Sequence, residues 1–176
     1  MKSSKLELRP LRPEDEASFR DAIAAFKNER PSFEFAFDFN ESTPFIEYIK
    51  KLEAWSLGKG LPDKFVPSTF LVGVVNGQIV GRLSLRHCLN DFLERIGGHI
   101  GYGVIPSRRR QGYATEMLRQ ILPVCSSLGI KQILITCDID NLGSQKVIEK
   151  CGGIFENITD DSQLKVQKRR YWIDIR

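Results

Sequence analysis

Apolar and polar positions change rhythm several times along this chain, and each change marks an element. Leu6-Glu7-Leu8 alternates as a short strand does. Pro13-Glu14-Asp15-Glu16 follows, with proline in the first helical turn and acids at the positive end of the dipole. That predicts a helix to about Phe26. Ser42-Thr43-Pro44 opens a second helix, with Phe45, Ile46, Ile49, Leu52 and Trp55 at helical spacing and a stop over 58–62. Two β-rich runs, 68–75 and 78–85, flank Asn76-Gly77, the strongest short signal for a hairpin. A short helical piece near Asp91 to Arg95 precedes Gly98-His99-Ile100-Gly101-Tyr102-Gly103-Val104-Ile105, a strand closed by Pro106.

From Gly112 to Leu128 the apolar positions Ala114, Met117, Leu118, Ile121, Leu122, Cys125 and Leu128 share one helical face. Pro123 predicts a kink or disturbed turn there, and Gly129 ends the helix. Gln132-Ile133-Leu134-Ile135-Thr136-Cys137 is nearly all apolar, as a central strand covered on both faces would be. Asp140 or Asn141 caps a further helix, with Val147, Ile148 and Cys151 inward and Gly152-Gly153 as its stop. Ile154-Phe155 and the run 170–175 supply the last strands.

The order β-α-α-β-β-β-α-β-α-β-β describes a mixed α/β fold: a central sheet, antiparallel at the hairpin, flanked by helices. The strand–helix–strand unit over 98–138 predicts a parallel pairing as well. One domain over residues 1–176 suits the length. Phenylalanine at 33, 35, 37 and 39 places four rings on one face of an extended chain, with Glu34 and Asp38 on the other edge. Such a stripe is core more often than pocket wall.

Composition changes this picture little. Apolar residues make up 41% and charged residues 27%, an ordinary globular balance, and no apolar run approaches the ~20 residues of a membrane span. Met1-Lys2-Ser3-Ser4-Lys5 leads straight into the first strand with no apolar signal segment, so the expected location is the cytoplasm. Cys88, Cys125, Cys137 and Cys151 form no C-x-x-C pair, which predicts small core residues and no metal site. The net charge of +4 suits an anionic small ligand or nucleic acid alike.

The chemistry concentrates after the Pro106-terminated strand. A basic loop, Ser107-Arg108-Arg109-Arg110-Gln111, runs into a helix that begins near Gly112. Helix starts leave N–H groups unpaired at the positive end of the dipole, so phosphates bind there. Gly112 admits a phosphate with no Cβ in the way, Ala114 keeps the next close position small, and Arg109 and Arg110 add charge. The spacing fits neither a Walker loop nor the dinucleotide fingerprint.

Arg109-Arg110-Gln111-Gly112-Tyr113-Ala114 resembles the [QR]-x-x-G-x-[GA] motif of the GNAT N-acetyltransferase superfamily. Downstream, Asn141-Leu142-Gly143-Ser144 and Glu149-Lys150-Cys151-Gly152 resemble that superfamily's second signature, and the resemblance extends from Leu6 to Ile175. It implies acetyl-CoA as co-substrate, a primary amine of a small molecule or peptide as acceptor, and direct attack without a covalent enzyme intermediate. It places the pyrophosphate on the backbone of Arg109, Arg110, Gln111, Gly112, Tyr113 and Ala114, with Thr115 nearby. It pairs Val104 and Ile105 with the pantetheine arm, sets Asn141 and Ser144 on the arm's other side, and splays the strands at 98–105 and 132–138 to admit it.

Acyl transfer needs an oxyanion donor, for which the N–H of Val104 is the candidate, and a base for the amine proton. His99 stands where several members carry a base, although a packed histidine without a proton role is equally common; His87 is expected to be structural. The superfamily's usual tyrosine acid is replaced by Ile148, which leaves Tyr102, Tyr113 or water to protonate the thiolate, and Gly153 stands where an aromatic is frequent. Tyr171 and Trp172 are candidates to close the far side of the acceptor pocket. Two other classes compete: a module that binds or senses acyl-CoA without chemistry, favoured by the missing tyrosine, and a nucleic-acid-binding domain resting on 108–110 and Lys168-Arg169-Arg170. The resemblance carries neither nucleic acid nor membrane as a partner. The exposed terminal strand leaves room for a homodimer.

Overall fold

A computed structural model describes residues 5–161 and 165–175. Residues 1–4, where a signal segment was sought, lie outside it. The elements are β1 (Glu7–Arg9), α1 (Glu16–Phe26), α2 (Phe45–Ser56), β2 (Ser68–Val75), β3 (Gln78–Arg86), β4 (Ile100–Val104), α3 (Tyr113–Ser127), β5 (Gln132–Asp138), α4 (Leu142–Lys150), β6 (Ile154–Asp161) and β7 (Val166–Asp174). A 3₁₀ turn at Pro13–Asp15 leads into α1, and a π-helical turn at Leu93–Gly97 leads into β4. The architecture is the expected mixed α/β fold.

The strands form two antiparallel sheets, in the orders β1-β2-β3-β4 and β5-β7-β6. The predicted pairing across 98–138 is reduced to its beginning. His99 donates its N–H to the Leu134 carbonyl at 2.7 Å, and Leu134 returns its N–H to His99 Nδ1 at 2.9 Å. No ladder joins β4 to β5 beyond that point. Gly98 makes the junction possible. Its φ is +64°, and a Cβ there would meet the Leu134 carbonyl oxygen at 2.7 Å.

Two cores cover the sheets. One joins Leu71, Leu83, Leu85, Ile100 and Val104 to Met117, Leu118 and Ile121 of α3 and Ile148 of α4. The other joins Phe70, Val72 and Val74 of β2 to α1, α2 and the 33–39 segment. That segment is a loop rather than a strand, and its rings pack around α1. Phe33 and Phe35 lie 4.8 and 5.4 Å from Phe26, and Phe39 lies 5.4 Å from Phe19. Each such pair adds about 0.5–1.5 kcal/mol beyond burial. Asp38 pairs with Lys51 at 3.0 Å.

Helix α3 runs through Pro123, which lies on its exposed face. Cys125 and Cys137 are core residues as expected, Cys151 is half-buried, and Cys88 is exposed. β5 is deeply buried at Ile133, Leu134 and Ile135, yet by its ladders it is the edge of its own sheet, facing β4 across the junction.

Candidate functional site

β4 is an edge strand, and its backbone pattern follows from its register with β3. Ile105 donates its N–H to the Val80 carbonyl at 2.9 Å. Antiparallel alternation therefore turns the N–H and C=O of Val104 away from β3, toward the open side. Val104 and Ile105, paired by the sequence, thus separate: Val104 presents its backbone to the gap, while the Ile105 N–H is already committed to the sheet. The Val104 carbonyl accepts from Arg109 Nε at 3.2 Å.

The loop after β4 has the backbone of an anion site. Arg110 has φ +64° and Gly112 has φ +82°, two left-handed residues in quick succession. Such turns gather successive N–H groups into a concavity. Gly112 is the N-cap of α3, and no side chain caps the helix. The leading N–H groups at Tyr113, Ala114 and Thr115 thus stand at the positive end of the dipole without a side-chain acceptor. A Cβ on Gly112 would meet nothing within 4 Å, so the space over the loop is open. Gln111 and Arg110 are exposed beside it. Arg109 departs from expectation. Its guanidinium pairs with Glu29 at 2.7 Å and lies over the Phe26 ring, turned toward α1 rather than over the loop.

The far wall is the start of α4. Asn141 caps that helix, its side chain accepting from the Ser144 N–H at 3.0 Å. Tyr102 reaches from β4 to the same turn, its hydroxyl donating to the Ser144 carbonyl at 3.4 Å. Burial pushes the Tyr102 phenol above its ordinary pKa, so it stays protonated. Val104, Tyr102, Asn141 and Ser144 therefore surround one gap between the two sheets, with the 109–115 turn at its mouth.

His99 sits at the closed end of the gap and its expected role as base does not fit its surroundings. The ring is 8% exposed, and Nδ1 already accepts from Leu134, which fixes the proton on Nε2. Burial, with the charge of Arg86, lowers its pKa to about 4. A base so weak takes few protons at neutral pH. Its visible work is to pin β5 to β4. His87 is also structural, its Nε2 lying 2.8 Å from Thr69 Oγ1.

Ile148 and Gly153, the two departures from the signature, fit each other. Ile148 is fully buried, and a Cβ on Gly153 would run into its side chain and, at 2.9 Å, its carbonyl oxygen. Tyr171 is buried in the core, with its hydroxyl between Arg169 and Glu149, and so does not close an acceptor pocket. The basic run near the C-terminus is engaged with acids and rings. Lys168 pairs with Asp138, Arg170 with Glu156, and Arg169 covers Phe155. Among the described residues no cluster of three or more histidine, cysteine or acidic side chains could hold a metal ion, and no helix is long and apolar enough to cross a membrane.

β3 carries a polar face that lies outside the signature motifs. Arg82-Leu83-Ser84-Leu85-Arg86 alternates, so its three polar residues share the face of β3 beneath the 33–39 loop. Arg82 is 4% exposed. Its guanidinium lies 4.5 Å from the centres of both Phe33 and Phe37.

Residues 5–154 match the family model described as an acetyltransferase (GNAT) domain. A curated relative, the uncharacterized N-acetyltransferase YjdG of Bacillus subtilis, is 31% identical over 137 residues, covering 77% of this chain and 71% of its own. Two solved structures share the fold. The microcin C7 self-immunity acetyltransferase MccE, in complex with acetyl-CoA and AMP, superposes with a TM-score of 0.70 at 20% identity, covering 99% of this chain and 94% of that one. RimJ of Mycobacterium smegmatis, in complex with CoA-disulfide, gives 0.70 at 20% identity, covering 96% of this chain and 81% of that one.

Proposed function

The chain belongs to the GNAT acetyltransferase family, and on that premise we propose that it moves an acetyl group from acetyl-CoA to a primary amine of a small molecule or peptide. The observation that carries this reading is the uncapped start of α3, with left-handed Arg110 and Gly112, at the mouth of the gap between β4 and α4. The backbone of residues 109–115 holds the pyrophosphate there. The pantetheine arm lies in the gap as an added strand on the free edge of β4, exchanging hydrogen bonds with Val104. For this the Val104 carbonyl exchanges Arg109 for a pantetheine amide. Asn141 and Ser144 line the other side.

The amine attacks the thioester carbon directly, forming the new C–N bond as the carbonyl oxygen takes up negative charge. The Val104 N–H stabilises that oxygen, and it costs no reorganisation because the ladder already aims it. The tetrahedral intermediate then expels the CoA thiolate. Tyr102, kept protonated by burial, offers its hydroxyl to that sulfur. A thiolate with a pKa near ~8.5 leaves with modest help, which accommodates Ile148 in place of the usual tyrosine. The attacking amine arrives neutral and gives its proton to water, since His99 is committed to the sheet junction.

Support comes from three things together: the uncapped turn, the free β4 edge, and relatives whose structures were solved with acetyl-CoA or CoA. Calorimetry with acetyl-CoA, followed by thiol release over a panel of amines, peptides and polyamines, tests the reading. Tight binding with no turnover across the panel would leave a binding module instead. Salt-sensitive binding to DNA or RNA that CoA fails to displace would overturn the reading altogether.

A further inference from the structure

Arg82 is the most conspicuous buried charge in the molecule that the transfer reading leaves unused. Its side chain is buried in the face of β3 under the 33–39 loop. One Nη donates to the Glu34 carbonyl at 2.7 Å, and the other to Ser84 Oγ and the Gly101 carbonyl, each at 3.2 Å. Its Nε, fully buried, has no partner. Arg86 lies on the same face, half-buried, donating to the carbonyls of Gly97 and Gly98 at 3.1 Å. Among the described residues no carboxylate stands within ion-pair distance of either guanidinium. A buried cation and a half-buried one, facing carbonyls, a hydroxyl and aromatic rings, lack the counter-charge that buried ions normally carry.

The two arginines converge on Gly101, where a single hydrogen stands in place of a side chain. A Cβ on Gly101 would lie 3.6 Å from Arg82 Nη1, 3.6 Å from Ser84 Oγ and 3.7 Å from Arg86 Nη1. Donors from three side chains thus surround the place where any other residue would carry a side chain. Phe33 roofs the neighbouring position, so closely that Gly103 has no room for a Cβ. Gly101 lies on β4, three residues before Val104, or about 10 Å along the strand. An occupant of this cradle therefore sits within a small molecule's length of the transfer point.

We propose that the Arg82–Ser84–Arg86 face over Gly101 binds an oxyanion of the acceptor, so that the enzyme selects amines carrying a carboxylate or phosphate several ångströms from the nitrogen. This rests on the transfer reading above and adds the substrate class to it. The 33–39 loop covers this face, and the flat faces of Phe33 and Phe37 hold the Arg82 guanidinium in place. Arginine suits the task because its planar fork offers two parallel donors and keeps its charge; burial lowers its pKa only to about 9.

The test compares matched acceptors with acetyl-CoA: glycine, γ-aminobutyrate and glycylglycine against their carboxamides, and phosphoethanolamine against ethanolamine. The first three pairs read a carboxylate and the last a phosphate. The expected result is a KM for one anionic series about 10- to 100-fold below that of its neutral partners, the range for a hydrogen-bonded charge. Arg82→Gln should erase the difference while leaving acetyl-CoA affinity and the KM of the neutral amines unchanged. Gly101→Ala is the second variant, for the case that Arg82→Gln does not fold. Its methyl makes ordinary contacts at 3.6 Å, so it should fold normally, fill the cradle and raise KM for the anionic series alone. Neutral amines accepted as well as anionic ones would overturn this proposal and leave acetyl transfer standing. Acetyl-CoA binding with no turnover of either series would overturn both.

Discussion

Replacing Gly112 with glutamate separates stability from ligand binding, because the two respond differently to the same side chain. Gly112 has φ +82° and open space around its Cα. A glutamate there pays no steric clash, only the left-handed backbone cost of about 1–2 kcal/mol. A carboxylate at a helix N-terminus returns about 0.3–1 kcal/mol through the dipole. The net loss is about 1 kcal/mol, which for a chain of this length lowers Tm by about 2–4 °C. The effect on CoA is larger. A carboxylate about 4 Å from a phosphate charge costs between ~1 kcal/mol in water and ~4 kcal/mol near a protein surface. At the watery end of that range, two pyrophosphate charges cost about 2–4 kcal/mol, or about a 30- to 1000-fold loss of affinity. Gly112→Ala is the control: it carries the same backbone cost and the Cβ without the charge, so it should lose less CoA affinity than Gly112→Glu. Calorimetric titration of CoA into each folded variant measures the difference. A Gly112→Glu protein that melts as expected yet binds CoA like Gly112→Ala would refute the pyrophosphate assignment.

Four further outcomes rest on buried polar contacts. His99→Ala leaves the Leu134 N–H unpaired and should cost about 1–3 kcal/mol of stability by denaturant unfolding, with the pH profile of turnover unmoved; a lost acidic limb would restore His99 as the base. The depressed pKa of His99, about 4 against 6.5, means that the folded state binds fewer protons than the unfolded between those values. Its stabilisation is therefore present above pH 6.5 and lost as pH falls toward 4, so the Tm of the parent should rise across that window more steeply than that of His99→Ala. Asp15→Ala strands Arg9, which Asp15 now holds through bonds of 2.6 and 2.8 Å, and should cost about 3–5 kcal/mol in chemical denaturation. Tyr102→Phe should lower kcat about 10- to 100-fold with acetyl-CoA affinity intact; unchanged kcat would remove the hydroxyl from the leaving-group step.

The elements were legible because their signals are local. Asn76 and Gly77 take the positive φ values, 51° and 74°, that a tight hairpin needs, and the heptad-like spacing from Met117 to Cys125 shows directly as the buried face of α3. The 33–39 run keeps its rings in the core, as such a stripe usually does, but not on one face. Alternation predicts one shared face only if the chain is extended, but these rings pack on different partners of α1 and β2, and the backbone bends to follow them. The split of the sheet was beyond local reading. Strand–helix–strand order says that β4 and β5 are neighbours, yet how far they stay paired depends on Gly98 and His99 meeting Leu134, a contact between residues 35 positions apart.

The site divides along the same line. Gly112 and Asn141 act through backbone geometry at helix starts, and the sequence shows helix starts well. What Arg109 and His99 can do depends on where their side chains point, and that is set by partners far away in the chain: Glu29 for one, Leu134 for the other. A motif carries backbone shape reliably because glycine and cap residues encode it at their own positions. It carries charge placement poorly, because a guanidinium has several ångströms of reach and settles on whatever acid or carbonyl the fold brings near. Arg82 shows the opposite case. Its alternation with Ser84 and Arg86 declares a polar face, but nothing in the local pattern says that the face is roofed by phenylalanine and meets a strand with no side chain at Gly101. That arrangement comes from two strands and a loop meeting, and it is what gathers donors from Arg82, Ser84 and Arg86 around one glycine.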